Sequence, residues 1–299
     1  PIGLASGDFV FVGDLGRPDL LETAAGLEGT MEAGAKVLYN TVLGFKELPE
    51  FVQIWPAHGA GSACGKALGD IPTSTVGYEL RNNASILASE TEEEFVNFIL
   101  SGQPEPPMYF ARMKRDNKIG PKVLGQLPQP RRINPDELGE LANRADVAVL
   151  DTRLDRTAFM AHHLPGSIYA ALDKSFPTVA GSYIEEEMPI YLIVSEEQVE
   201  EAVRDLVRIG LDNVVGYATP ETLIHYQEQG GSLAETEVLT FADVAKIYDN
   251  EDVQMVDVRG IVEFEEGHVE GAQNIAHTRL FVRQGEVTEG KTQVVYCRT

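Results

Sequence analysis

The chain has 299 residues, 43% of them hydrophobic, which suffices for two or more buried cores. Its 47 acidic residues outnumber its 24 basic residues and give a formal net charge of −23, which argues against nucleic acids and anionic membranes as partners. No apolar run reaches the roughly eighteen residues of a membrane-spanning helix. The two cysteines, Cys64 and Cys297, are far apart. We therefore expect no disulfide framework, and a cytoplasmic location. A homo-oligomer is compatible with this composition.

An acidic residue stands at each end of the first predicted strand. This apolar strand spans residues 9–13, with Asp8 before it and Asp14 after it, and a turn at Arg17 follows. A carboxylate at the start of a buried strand needs compensation, because an unpaired desolvated charge costs several kcal/mol. A metal ion would compensate Asp8, and so would capping backbone N–H groups or Arg17. The residues alone leave both interpretations open.

A histidine in a glycine-rich turn ends the next predicted strand. Residues 20–48 predict a helix that ends before Pro49, and residues 51–57 predict a short buried strand that leads to His58. A histidine at a strand end is most often structural. Because the neighbouring glycines allow close backbone approach, His58 together with Asp8 becomes a candidate metal-ligand pair. Cys64 in the same turn is interpreted as a packing residue rather than a reactive thiol.

Both stretches contain motifs of a known fold. Residues 6–17 read SGDFVFVGDLGR and residues 55–61 read WPAHGAG. They resemble T-G-D-x-L-F-x-G-x-x-G-R and Y-P-x-H-G-x-G in the C-terminal half of the metallo-β-lactamase fold, in the branch of glyoxalase II-like enzymes and persulfide dioxygenases. The resemblance implies that Asp8 is the metal-binding aspartate and His58 a late histidine of the site. The residues that support the surrounding loop would be Asp14, Arg17 and Asp19.

The resemblance also implies that part of this domain lies elsewhere. The family has an H-x-H-x-D-H cluster and another histidine upstream of the aspartate, and this sequence has neither. We therefore expect that the other half of the domain precedes Pro1 and that the chain is a fragment. Residues 74–83, which read STVGYELRNN, would close the pocket in this family.

A proline-rich segment separates the two halves of the sequence. A helix over residues 91–100, opened by a Thr91–Glu94 capping box, is the last predicted element of the first domain, residues 1–101. Residues 102–130 contain six prolines and many charged residues. We predict that they lack regular structure and form an extended linker.

The remaining sequence contains one pattern twice, in residues 131–235 and 236–299. Strands alternate with helices, which indicates a parallel sheet. In each repeat a buried strand ends in Asp-x-Arg, a Phe and a His-containing turn follow, and another apolar strand comes next. These blocks match the rhodanese pattern D-x-R…E-[FY]…G-H-[IV]-x-G-A-x-N-[IL]…V-V-Y-C. The resemblance implies an α/β fold in which half of a metallo-β-lactamase αββα sandwich precedes two rhodanese-like parallel-sheet modules, the second incomplete.

Cys297 is the candidate nucleophile. It follows the apolar strand at residues 292–296, and ligands of open α/β sheets bind at the carboxyl ends of strands. In rhodaneses the next residues form a loop whose backbone N–H groups converge on the sulfur and stabilise a thiolate. The resemblance implies that Arg298 and Thr299 begin this anion- or persulfide-binding loop. Cys297 would then accept a sulfane sulfur as Cys–S–SH and pass it on.

The first repeat has no cysteine at the corresponding place. Val194-Ser195-Glu196 stands there, and the acidic residues would repel an anionic sulfur. We interpret this repeat as a catalytically inactive module that serves packing or docking. In the second repeat Asp257, Arg259 and His268 suggest a catalytic triad, but in the rhodanese family such residues mostly hold strand and loop together, so the structural interpretation is favoured.

The combined motifs resemble persulfide dioxygenase–rhodanese fusions. That resemblance implies mononuclear iron(II), with Asp8 in a facial triad and His58 as a pocket residue or second-metal ligand. The substrate would be a low-molecular-weight thiol persulfide, oxidised to sulfite and free thiol, and Cys297 would exchange sulfur with thiosulfate or persulfides. A zinc-dependent glyoxalase II-like thioester hydrolase is the second hypothesis. A non-catalytic sulfur carrier or interaction scaffold is the third.

Overall fold

The chain folds into alternating helices and strands that form two compact units. The computed structural model describes residues 1–23, 29–59, 62, 65–66 and 68–298. One unit comprises Pro1–Phe110 and Gly260–His268, and the other comprises Ala111–Arg259 and Val269–Thr299. In the described part of the chain, no helix is long and apolar enough to cross a membrane. The predicted α/β class is confirmed.

The first unit is built on a three-stranded sheet of order β1-β2-β3. β1 and β2 are parallel, and β3 is antiparallel to β2. The amphipathic helix α2 buries Ala35, Val42 and Phe45 on one face, next to α5. The elements are β1 (Gly3–Gly7), α1 (Leu20–Thr23), α2 (Thr30–Lys46), β2 (Gln53–Pro56), β3 (Ser74–Thr75), α3 (Val76–Asn82), α4 (Ala84–Leu87) and α5 (Glu92–Leu100).

The first strand lies before Asp8, not after it. Residues 9–13, predicted as a strand, form a turn in which only Val10 makes an isolated bridge, to Leu15. The prediction of a strand there is wrong, because these apolar residues are buried by packing and not by sheet pairing. The helix predicted over residues 20–48 is present as α1 and α2, which ends at Lys46 before Pro49.

The proline-rich segment contains a helix. α6 (Phe110–Ile119) occupies the middle of residues 102–130, so the prediction that this segment has no regular structure is wrong there. None of the six prolines lies within α6, which removes the steric reason against a helix. The division into residues 1–101, 102–130, 131–235 and 236–299 stays a prediction.

The second unit contains two sheets, and the strand pairs in its described residues are all parallel. The larger has the order β4-β8-β7-β5-β6 and the smaller the order β10-β9-β11. Asn134 caps α7 through a capping box. The elements, with α13 inside Gly260–His268, are β4 (Arg131–Arg132), α7 (Pro135–Gly139), β5 (Ala148–Asp151), α8 (Arg156–Ala161), β6 (Ile168–Tyr169), α9 (Phe176–Tyr183), β7 (Ile190–Ile193), α10 (Val199–Arg208), β8 (Val214–Ala218), α11 (Pro220–Glu228), α12 (Phe241–Ile247), β9 (Val253–Asp257), α13 (Ile261–Glu266), β10 (Gln273–Asn274), α14 (Leu280–Arg283) and β11 (Thr292–Tyr296).

Three strands of each repeat are paired in the same way. β5 lies between β6 and β7, as β9 lies between β10 and β11. Asp151 at the end of β5 is opposite Ile193, and Asp257 at the end of β9 is opposite Tyr296. This register makes Val194 and Cys297 equivalent positions.

Candidate functional site

Asp8 and His58 lie side by side at the carboxyl ends of two parallel strands. β1 and β2 pair with Gly7 opposite Pro56, so the residues that follow the two strands meet at one edge of the sheet. The distance from His58 Nε2 to Asp8 Oδ1 is 3.0 Å, and the two side chains are 39% and 72% exposed, respectively. An imidazole nitrogen and a carboxylate oxygen are therefore adjacent and accessible from solvent.

The backbone of Asp8 is held by a close contact with Gly16. The chain folds back over residues 9–16, and the N–H of Gly16 donates to the carbonyl of Phe9 at 3.0 Å. A Cβ atom at Gly16 would lie 1.9 Å from the carbonyl oxygen of Asp8. Only glycine permits this approach, because no other residue lacks a Cβ.

Asp14 is a buried anchor of this loop. Its Oδ1 accepts from the N–H of Leu15 and the hydroxyl of Ser85, both at 2.8 Å, and its Oδ2 accepts from the N–H of Lys66 at 2.8 Å. The ammonium group of Lys66 donates to the carbonyl of Phe98 at 3.1 Å. Burial lowers the pKa of Lys66, with the carboxylate of Asp14 acting in the opposite direction. Asp14 thus connects the loop to two other segments of the unit.

Glu79, which lies within residues 74–83, belongs to the same buried network. It is fully buried on α3, and its Oε2 accepts from the N–H of Gly13 at 3.0 Å and from Asn83 Nδ2 at 2.8 Å. Asn83 also donates to the carbonyl of Asp14 at 3.0 Å. Glu79 and Asn83 both lie within the motif of residues 74–83. A local motif does not predict the bond between Glu79 and Gly13, which is 66 positions away.

Arg17 and Asp19 form a buried ion pair. Arg17 Nε donates to Asp19 Oδ1 at 3.1 Å, and Nη2 donates to Oδ2 at 2.6 Å. The arrangement is bidentate, the geometry in which an arginine–carboxylate pair is strongest. Arg17 therefore neutralises Asp19, and Asp8 instead lies against His58.

A cleft lies beside Asp8. It has a volume of about 590 Å³, within the range of small-molecule sites. The loop after β1 and the helix α2 form its walls, and most of its lining is apolar. The lining residues include Phe9, Phe11, Pro18, Leu38 and Thr41. The ring of Phe11 lies 5.9 Å from the His58 ring.

Asp8 and His58 are residue types that bind metal ions, but two ligands are fewer than a metal site needs. An iron(II) facial triad needs two histidines and a carboxylate, and a catalytic zinc site uses three protein ligands. Asp8 and His58 supply one oxygen and one nitrogen. In the part of the chain that the structure describes, no group of three or more His, Cys, Asp or Glu side chains could hold a metal ion. The pair alone is therefore an incomplete metal site.

Cys297 lies at the carboxyl end of β11. It is exposed and forms no disulfide. β11 is parallel to β9 from Thr292 to Tyr296, so Cys297 stands at the edge where the loops after β9 and β10 also emerge. Arg298 is exposed beside it. Two residues of the sequence analysis, Thr299 and Cys64, lie outside the described residues.

Asp257 and Arg259 form a buried pair behind this edge. Arg259 Nε and Nη2 donate to the two carboxylate oxygens of Asp257, at 3.0 Å to Oδ1 and 2.6 Å to Oδ2. Burial alone would raise the pKa of Asp257, but the hydrogen bonds from the side chain and backbone of Arg259 outweigh it and lower that pKa. Burial raises the pKa of Tyr296, whose hydroxyl accepts from the N–H of Val269.

The first repeat contains the same pair, which favours a structural role for it. Arg153 binds Asp151 in the same bidentate way, at 2.9 Å from Nε to Oδ1 and 2.7 Å from Nη2 to Oδ2. A pair that recurs where no cysteine follows the strand is not specific to catalysis.

His268 also has a counterpart in the first repeat. Its Nδ1 lies 2.8 Å from the carbonyl oxygen of Phe264, and the two rings stack at 3.6 Å. His163 and Phe159 repeat this arrangement, at 2.8 Å and 4.3 Å. These contacts hold each histidine against its own turn, as the structural interpretation predicts.

The position equivalent to Cys297 is closed in the first repeat. Val194 is 1% exposed, and its N–H donates to the carbonyl of Ala218 at 2.9 Å. Neither a thiol nor access for a substrate is present there. The repeats therefore share a framework but differ at the residue that would carry the chemistry.

Comparison with known proteins identifies the last part of the chain. Residues 240–299 match the family of rhodanese-like domains. A metallo-beta-lactamase from Staphylococcus aureus subsp. aureus COL has a similar structure, with 40% sequence identity and a TM-score of 0.63. The similarity covers 74% of this chain and 60% of that one, so the chain spans less than two thirds of that protein. No curated protein sequence matches the chain significantly.

Two other solved structures are more distant. The Alr3790 protein from Anabaena sp. is 21% identical, with 36% of this chain and 94% of that chain covered and a TM-score of 0.30. SseA from Escherichia coli, described as a 3-mercaptopyruvate sulfotransferase with the rhodanese fold, is 17% identical, with 56% and 88% covered and a TM-score of 0.30. Similarities at this level do not bear on the function of this chain.

The stronger matches support a fusion. The S. aureus similarity covers more of the chain than the first unit contains, so it extends into the second. A metallo-β-lactamase-like part is thus combined with a C-terminal rhodanese-like domain.

Proposed function

We propose that the chain belongs to a persulfide dioxygenase–sulfurtransferase that acts on low-molecular-weight thiol persulfides. The observation that supports the proposal is the presence of two candidate sites in one chain. The Asp8–His58 pair lies in the stretch whose motifs resemble the metallo-β-lactamase fold, and Cys297 directly follows strand β11 of the rhodanese-like domain. A sulfur-accepting thiol gives a persulfide oxidase a source of substrate, whereas it gives a thioester hydrolase none.

Cys297 would perform the transfer half-reactions. Its thiolate attacks the sulfane sulfur of thiosulfate, the S–S bond breaks, and sulfite leaves with the bonding electron pair. A low-molecular-weight thiolate then attacks the outer sulfur of the Cys297 persulfide, which yields a thiol persulfide and regenerates the Cys297 thiolate. The exposure of Cys297 allows both reactants to approach.

Asp8 and His58 would serve the oxidation. Overall, one thiol persulfide, one O2 and one water give the free thiol, one sulfite and two protons. A bound iron(II) ion would supply the sites for O2 and the persulfide sulfur. The chain's own contribution is to hold the carboxylate and imidazole 3.0 Å apart, with Asp8 lining the cleft beside Phe9 and Phe11. Zinc would accept the same two donors and would correspond to the hydrolase.

The test is a metal analysis and an oxygen-consumption assay on the full-length protein. We expect iron, together with uptake of O2 and release of sulfite when glutathione persulfide is added. Asp8→Asn and His58→Gln should each lose at least tenfold in oxygen uptake. Asp70→Asn is the matched control, because it changes an exposed carboxylate of the same unit. It should keep the oxygen uptake and the sulfite release of the wild type. A zinc-loaded protein that consumes no oxygen would refute the dioxygenase proposal.

A further inference from the structure

A ladder of backbone hydrogen bonds crosses the edge of the sheet where Cys297 lies. The N–H of Val258, which follows β9, donates to the carbonyl of Tyr296 at 3.1 Å. The N–H of His277, which follows β10, donates to the carbonyl of Val258 at 2.8 Å. Since Cys297 is bonded directly to Tyr296, this ladder fixes the position from which the thiol projects.

A tyrosine of the first repeat extends the ladder. Tyr183 is the last residue of α9, and its hydroxyl donates to the carbonyl of His277 at 2.6 Å. Its ring lies 6.3 Å from the ring of Phe281 on α14. Burial raises the pKa of Tyr183, so the phenol is a protonated donor at neutral pH.

The ladder itself is common to both repeats, but its connection to Tyr183 joins them. In the first repeat the N–H of Thr152 donates to the carbonyl of Ile193 at 3.0 Å, and the N–H of Leu172 donates to the carbonyl of Thr152 at 3.1 Å. These bonds stay within one sheet. The bond from Tyr183 begins in the repeat without a thiol and ends on the loop after β10, which is linked to the thiol-bearing strand β11 through Val258.

We propose that Tyr183 is a positioning residue for Cys297, through which the repeat without a thiol supports the sulfur-accepting edge of the other. The proposal rests on the proposed sulfur-transfer function of Cys297. The carbonyl of His277 accepts from Tyr183 and from the N–H of Leu280, which uses both of its lone pairs. Loss of the phenol therefore weakens the loop after β10 and, through Val258, the end of β11.

Tyr183→Phe in the full-length protein tests the connection, because it removes the hydroxyl and keeps the ring. Tyr169→Phe is the matched control: its hydroxyl also donates to a backbone carbonyl, that of Leu154 at 3.1 Å, but within the first repeat. We expect amide exchange of Val258 and His277 to become about two- to tenfold faster in Tyr183→Phe, the range that one hydrogen bond gives. The control should exchange like the wild type at both amides.

The second measurement addresses Cys297 itself. The rate of its alkylation by iodoacetamide is followed from pH 6 to pH 10. In Tyr183→Phe the ratio of the rate at pH 7 to that at pH 10 should change at least twofold, because the end of β11, from which the thiol projects, is held less firmly. A merely structural bond would leave this ratio unchanged.

Three results would overturn the proposal: unchanged amide exchange in Tyr183→Phe, faster exchange with an unchanged alkylation ratio, or equal effects in the control. Alkylation does not require sulfur transfer. If the wild-type protein accepts no sulfur from thiosulfate, the proposed function fails, while the exchange and alkylation measurements still decide the role of Tyr183.

Discussion

Gly16 is the residue on which the position of Asp8 depends most directly. In Gly16→Ala the new Cβ would lie 1.9 Å from the carbonyl oxygen of Asp8, so the backbone on one side must move. We expect a loss of about 1–3 kcal/mol in the free energy of unfolding, measured by urea denaturation. Oxygen uptake should fall as well, because Asp8 moves away from His58.

Gly44→Ala is the control for this substitution. Gly44 lies in α2, where a Cβ would meet no atom within 4 Å. Alanine there should stabilise the protein by about 0.4–1 kcal/mol. Equal stability of Gly16→Ala and the wild type would show that the loop tolerates a side chain against Asp8, contrary to the structure.

The Asp257–Arg259 pair makes a pH-dependent contribution to stability. Because the folded-state pKa of Asp257 is lowered from 3.8, the pair stabilises the fold fully above the ordinary aspartate pKa. This contribution is lost as the pH falls from about 4 through the lower folded value. Asp257→Asn should cost about 3–5 kcal/mol at pH 7, since it leaves Arg259 without its buried partner.

Denaturation midpoints between pH 2 and pH 7 provide the measurement. The wild type should lose stability below about pH 4, and the decrease should be smaller in Asp257→Asn. Asp249→Asn, which changes an exposed carboxylate, should follow the wild type. Identical pH profiles of Asp257→Asn and the wild type would contradict the lowered pKa of Asp257.

At the scale of elements, β7 and β11 occupy equivalent positions in their two sheets. This equivalence predicts the reactivity of a thiol introduced after β7. Val194 on the first repeat is equivalent to Cys297 but is 1% exposed. In a Val194→Cys, Cys297→Ser variant, the introduced cysteine should react with iodoacetamide at least tenfold more slowly than Cys297 does in the wild type, because only an accessible thiolate is attacked. Comparable rates would mean that the first repeat opens a site of its own.

The elements that the sequence predicted best are those with a repeated pattern. β5 and β9 are predictable because each is a buried apolar run that ends in Asp-x-Arg, and β11 because its apolar run recurs at β7. The turn over residues 9–13 was mistaken for a strand, since a short apolar run does not distinguish pairing from packing. α6 was missed because prolines on both sides hid a proline-free stretch.

The candidate site could be predicted only in part, for a similar reason. Motifs placed Asp8 before one loop and His58 after one strand, and parallel pairing brings the two together. The bonds of Glu79 with Gly13 and of Tyr183 with His277 join segments far apart in sequence. No local pattern carries such contacts, so only the fold reveals them.

At the scale of the whole molecule, the proposed function requires that one protein both makes and consumes a thiol persulfide. The rhodanese-like domain would transfer sulfur from thiosulfate to a thiol such as glutathione, and the metallo-β-lactamase-like part would oxidise the product. The formal net charge of −23 repels anionic reactants such as thiosulfate. Their binding therefore needs cationic groups and backbone N–H donors close to the site. Arg298, next to Cys297, is one such group.

Oxygen uptake with thiosulfate and glutathione, but without added persulfide, tests this coupling most directly. The full-length wild-type protein should consume oxygen and release sulfite under these conditions. Cys297→Ser should lose at least tenfold of this activity and keep the oxygen uptake seen when glutathione persulfide is supplied. If Cys297→Ser consumes oxygen from thiosulfate as fast as the wild type, Cys297 does not feed the oxidation and the account is wrong.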